Sequence, residues 1–122
     1  MRDEPPPQIS KYVSPDGALT LMVIREEDDI TVGFEGYYWH THGDILATIG
    51  LPEEKAVEDF VDTVLNGRAA IEVMILNGVA VDISVVELPL RGDPPYREKG
   101  QTFVFRLWDG SILAAYGPET LP

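Results

Sequence analysis

The sequence predicts an α+β domain. Its mainly antiparallel sheet would have about six to seven strands, from an N-terminal meander and two C-terminal hairpins, with one principal helix packed on one face. Three observations carry this prediction. Short alternating apolar runs punctuated by turn residues occupy both halves of the chain. One central stretch, residues 52–66, has helical spacing instead. Nowhere do strand and helix patterns alternate as a parallel sheet would require.

Residues 1–8, "MRDEPPPQ", contain three consecutive prolines and favour an extended chain. They are expected to form a flexible arm ahead of a single domain over 9–117, with 118–122 as a tail. "SPDG" at 14–17 has turn chemistry throughout, since Pro15 presets φ and Gly17 tolerates a positive one. Residues 18–25 then read as a strand with Leu19, Leu21 and Val23 on one side. The acidic run 26–29 makes the next turn, and Ile30, Val32 and Phe34 mark the following strand.

In the central helix Pro52 sits where a first helical residue belongs. Glu53 and Glu54 suit the positive end of the helix dipole, and Gly67 suits the C-terminal cap. Ala56, Val57, Phe60, Val61, Val64 and Leu65 form one apolar stripe opposite Lys55, Glu58, Asp59 and Asp62. A short turn of helix is expected ahead of it, over 45–49.

Asn77-Gly78 between β-branched runs is a strong hairpin signal. A two-residue turn there pairs Leu76 with Val79, Met74 with Val81 and Glu72 with Ile83. Strand 69–76 is apolar on both sides except at Glu72, as a central strand is. Asp109-Gly110 marks the second hairpin turn. It would put Phe103, Phe105, Leu107, Ile112, Ala114 and Tyr116 on one face, and Val104, Arg106, Trp108, Leu113 and Ala115 on the other. The link 88–100, rich in proline, reads as a surface loop.

Composition narrows the function. The chain carries 21 acidic residues against 9 basic, a formal net charge of −12. Phosphate backbones and anionic membranes repel such a surface, so neither nucleic acid nor membrane is an expected ligand, whereas a basic protein would be attracted. No apolar run approaches the ~20 residues that span a bilayer, and the opening residues lack the apolar core of a signal peptide. Cysteine is absent, which removes disulfides and thiolate chemistry and suits a reducing compartment. A cytoplasmic location is therefore expected. No glycine-rich phosphate loop and no GxSxG nucleophile elbow is present.

The one stretch dense in chemistry is Trp39 to Asp44, "WHTHGD", which holds both histidines of the chain. In an extended segment His40, His42 and Asp44 project to one side, and two imidazoles with a carboxylate can ligate zinc or iron. Glu35, Glu53 or Glu54 could then serve as general base. The stretch is similar to the opening of the metallo-β-lactamase signature, HxHxDH, but Ile45 stands in place of its last histidine and no further histidine remains. "YYWHTHG" is also similar to the JAMM/MPN metalloproteases, which would make His40 and His42 zinc ligands. Here Gly43 replaces the family's proline, and Leu51 and Glu54 stand near its serine and aspartate. Neither activity is carried over.

The alternative reading treats the same segment as a binding surface. Tyr37, Tyr38 and Trp39 are consecutive aromatics between glycines, and tyrosine and tryptophan are the side chains that most often anchor interfaces. His40, His42, Tyr96 and Trp108 are the further candidates. The preferred expectation is a small acidic binding module with no catalytic residue and no cofactor, which binds or inhibits a basic protein as an immunity or antitoxin-type inhibitor would. The rival is a zinc- or iron-dependent hydrolase at His40, His42 and Asp44. A homodimer would be one way to cover the apolar faces of strand 69–76 and of the last hairpin.

Overall fold

The computed structural model describes residues 6–47, 51–91 and 97–117. Alternating apolar residues build a first antiparallel sheet from β1 (Gln8–Val13), β2 (Thr20–Glu26), β3 (Asp29–Phe34) and β4 (His40–His42), in that order. Leu21 stands opposite Phe34 and Val23 opposite Val32, so one face of the sheet is apolar throughout. Met22, Ile24, Thr31 and Gly33 take the other face by the same alternation.

Two helices follow, a single turn α1 (Gly43–Leu46) and the principal helix α2 (Glu53–Leu65). The short helix starts earlier than the expected 45–49, and residues 48–50 lie outside the described residues. Pro52 caps α2 from outside with extended φ and ψ, so Glu53 is the first helical residue. At the other end the Arg68 N–H donates to the Thr63 carbonyl and the Gly67 N–H to the Val64 carbonyl, with Gly67 at φ +69°. That crossed pair of bonds needs a left-handed residue, which glycine supplies without a steric penalty.

The chain then forms a second antiparallel sheet from β5 (Ala69–Leu76), β6 (Val79–Glu87), β7 (Gln101–Arg106) and β8 (Ile112–Tyr116), ordered β6-β5-β7-β8. The strand apolar on both sides, β5, is central as its pattern requires. The α+β class, the antiparallel pairing and the single main helix are those the sequence predicts. The single sheet is replaced by two of four strands each among the described residues. The reason lies in α2, which carries the chain away from the β4 edge, so that β5 begins a new sheet.

Core packing explains why both sheets need the helix. Leu21, Val23, Val32 and Phe34 of the first sheet, with Leu19 just ahead of β2, meet Val57, Val61 and Val64 of α2, Ile71, Val73 and Ile83 of the second sheet, and Trp108 from the loop after β7, in one buried cluster. Fully burying each of the aliphatic side chains in this cluster contributes about 1.5–3 kcal/mol.

Both hairpins depart from the expected register by a bulge. At Asn77-Gly78 the two-residue turn forms, with φ +50° and +85°, and Leu76 opposes Val79. Beyond Ile75 the partners shift, so Met74 opposes Asp82 and Val73 opposes Ile83, leaving Val81 as the extra residue. Uniform pairing would set Asp82 opposite Val73 on the core face. The bulge puts Ile83 there instead, because an uncompensated buried carboxylate costs more than a disrupted ladder. At the second hairpin Phe105 opposes Ala114 and Arg106 opposes Ile112, and residues 107–111 form a wider loop closed by the Leu107 N–H donating to the Ser111 carbonyl at 2.8 Å. Trp108 thereby leaves the strand face and enters the core.

Candidate functional site

The sequence candidates converge on β4 and the turn ahead of it. Gly36, at φ +87°, lies in the turn after β3, and the Tyr37 N–H donates to the Phe34 carbonyl at 3.1 Å. The three aromatics then separate. Tyr37 and Trp39 turn inward and pack against the core, Trp39 with its ring centroid 6.1 Å from that of Phe34. Tyr38 points out and is 90% exposed. Alternation along the chain sorts them, since neighbours in an extended segment face opposite ways.

Tyr38 begins a row of rings along the outer face. Its ring meets His40 edge to face at 5.9 Å between centroids, and His40 meets His42 in the same manner at 4.9 Å. The row ends on a carboxylate of β3. His42 Nδ1 lies 3.0 and 3.1 Å from the two oxygens of Asp29, and 3.3 Å from Thr31 Oγ1. His40 Nδ1 lies 2.9 Å from the backbone oxygen of Tyr38. Gly33 stands beside His40, and a Cβ there would come within 2.9 Å of the Trp39 carbonyl oxygen. Only glycine lets β4 approach this closely.

The carboxylate beside the histidines is therefore Asp29, not the expected Asp44. Strand geometry stops at His42, and Gly43 opens α1, so the period of two that would align Asp44 with both rings is broken before it. Asp29 and Thr31 were not legible as partners of His42. Their acidic and hydroxyl chemistry is visible in the sequence, but only the β3–β4 register sets Thr31 opposite His42.

The other sequence candidates lie apart from this row. Trp108, read from the sequence as a surface residue, is 6% exposed and belongs to the core, because the widened hairpin loop turns its ring inward. Tyr96 lies outside the described residues. Of the possible general bases, Glu35 pairs with Lys11 at 2.7 Å and Glu54 with Arg25 at 2.7 Å, and Glu53 lies beside Gly43. Among the described residues no group of three or more His, Asp or Glu side chains could hold a metal ion.

Charge around the row is one-sided. Lys11, Arg25, Lys55, Arg68 and Arg106 each bind a carboxylate of this chain. Glu26, Asp28, Asp44 and Glu53 carry no ion pair among the described residues. All four lie at the end of the first sheet where the β2–β3 turn, α1 and the start of α2 meet.

No family model matches the chain, and neither the curated proteins nor the solved structures contain a significant match. Among the described residues no helix is long and apolar enough to cross a membrane.

Proposed function

We propose that this chain is a protein-binding module that takes a basic protein partner along the outer face of its first sheet, with Tyr38 as the anchoring side chain at one end and the acidic β2–β3 turn at the other. An immunity or antitoxin-type inhibitor of a basic nuclease, working in the cytoplasm, is the form of this activity that fits its size and charge. The observation that carries the reading is Tyr38 itself. A tyrosine left 90% exposed, at the head of a row of two histidine rings that leads to Asp29 at the acidic end of the sheet, combines a large contact face with a polar tip. The pairing of five of the chain's nine cations supports it, because Glu26, Asp28, Asp44 and Glu53, which carry no ion pair among the described residues, can meet cations from elsewhere.

The test is affinity purification with the full chain and with Tyr38→Ala as bait, at rising salt, and identification of what is retained. The expected result is one basic protein held near physiological ionic strength, released as salt screens the contact, and lost with Tyr38→Ala. Retained proteins with no basic excess, or retention indifferent to both salt and Tyr38, would overturn the reading.

A further inference from the structure

We propose that His40 and His42 form a two-imidazole chelate for a divalent cation of the late first transition series (zinc, nickel or copper), with water completing the coordination. This inference stands apart from the partner reading and is carried by how the two rings are held.

Positions i and i+2 of a strand present their side chains on one face, and here the ring centroids are 4.9 Å apart. Each ring has one nitrogen already committed. His40 Nδ1 lies 2.9 Å from the Tyr38 carbonyl oxygen, which can only accept, so this nitrogen must carry the hydrogen. His42 Nδ1 faces both oxygens of Asp29, which as a carboxylate also only accepts. The Thr31 hydroxyl, 3.2 Å from Asp29 Oδ2, donates to the same carboxylate and so does not compete to protonate the ring.

A neutral imidazole has a single N–H. With Nδ1 protonated in both rings, each Nε2 keeps its lone pair, and neither has a hydrogen-bond partner among the described residues. This is the arrangement by which proteins prepare histidine ligands: one nitrogen donates to a carboxylate or a backbone carbonyl, and the other is left for the metal. Imidazole nitrogen selects borderline cations over calcium or magnesium, which prefer oxygen. The surrounding carboxylates lower the cost of placing a dication there. Asp29 touches no metal in this scheme and acts as a positioning residue for His42.

Zinc chloride titrated into the full chain by calorimetry, with calcium chloride as control, tests the proposal, together with imidazole nitrogen NMR spectra. The expected result is one zinc per chain, both Nε2 resonances displaced, and no displacement by calcium. His40→Gln and His42→Gln should each weaken binding about tenfold or more, and Asp29→Ala about tenfold with mixed His42 tautomers in the metal-free spectrum. His40 is exposed, so His40→Gln serves as the decisive variant if His42→Gln does not fold. Zinc affinity unchanged by His40→Gln, displacement of only one histidine, equal competition by calcium or no saturable binding would each overturn the proposal.

Discussion

Asp16 and Arg106 form a two-pronged ion pair that ties the β1–β2 turn of the first sheet to the end of β7 in the second. The guanidinium reaches one carboxylate oxygen at 2.8 Å and the other at 3.2 Å. Arg106 also donates to the backbone oxygens of Leu107 at 3.1 Å and Trp108 at 3.1 Å, and its side chain is 9% exposed. Asp16 is held in turn by the Ser14 hydroxyl at 2.6 Å and the Ala18 N–H at 3.2 Å. A planar fork of donors suits this position in a way that lysine would not.

Removing either partner should therefore lower stability, and unequally. Asp16→Asn keeps the shape and loses the charge, so its thermal midpoint should fall by a few degrees. Arg106→Ala should fall further, since it also strips donors from two carbonyls and leaves a void beside Trp108. Arg106→Lys should recover only part of the loss. Thermal melts followed by near-ultraviolet circular dichroism, which senses Trp108, would check the order.

Acid should erase the difference between the native chain and Asp16→Asn. The Arg106 guanidinium, then the Ser14 hydroxyl and the Ala18 N–H, hold the Asp16 carboxyl well below the usual carboxylate range. A group whose pKa is lower folded than unfolded adds stability that is fully present above the unfolded value of ~4 and lost as pH falls through the folded value. Urea titrations of the two proteins should show a constant gap in stability from neutral pH to about 5, narrowing as pH falls below ~4. A gap that widens in acid would contradict this assignment.

The neighbouring aromatics Tyr38 and Trp39 should behave oppositely. Tyr38→Ala should leave stability within about 0.5 kcal/mol of the native chain, because its ring touches solvent and the edge of His40. Trp39→Ala should cost about 2–3 kcal/mol, since its ring packs against Phe34 and the core. Denaturant titration separates them, and it makes Tyr38 the clean probe of the proposed partner contact.

Gly33→Ala should disturb the histidine row from beneath. The added Cβ would sit 2.9 Å from the Trp39 carbonyl oxygen and 3.2 Å from His40 Cβ, and a backbone atom cannot move aside without shifting β4. The expected cost is about 1–3 kcal/mol, with His40 and His42 resonances displaced while those of the second sheet stay in place. Unmoved histidine resonances would show that β4 does not approach as closely as described.

Local signals in the chain were reliable wherever a residue's own backbone preference decided the outcome. The turns at Gly17, at Asn77-Gly78 and at Gly67 sit at positive φ because those residues adopt it at low cost. The apolar stripe of α2 and the two-sided apolar pattern of β5 likewise announced what each would bury. His40 and His42 were legible as a pair on one strand face, since their spacing is local.

What escaped the sequence were the relationships between segments distant along the chain. The split into two sheets, the bulges at Val81 and Leu113, the burial of Trp108, the Asp16–Arg106 tie and the choice of Asp29 over Asp44 as partner of His42 all depend on which strand lies beside which. A single-residue slip reverses the faces of a strand, and packing of the shared core decides where such slips occur. Composition and local pattern thus determined the elements, the turns and the acidic character of this protein. Only tertiary packing decided which side chains meet, because burying apolar surface and leaving no charge unpaired within it are properties of the assembled core.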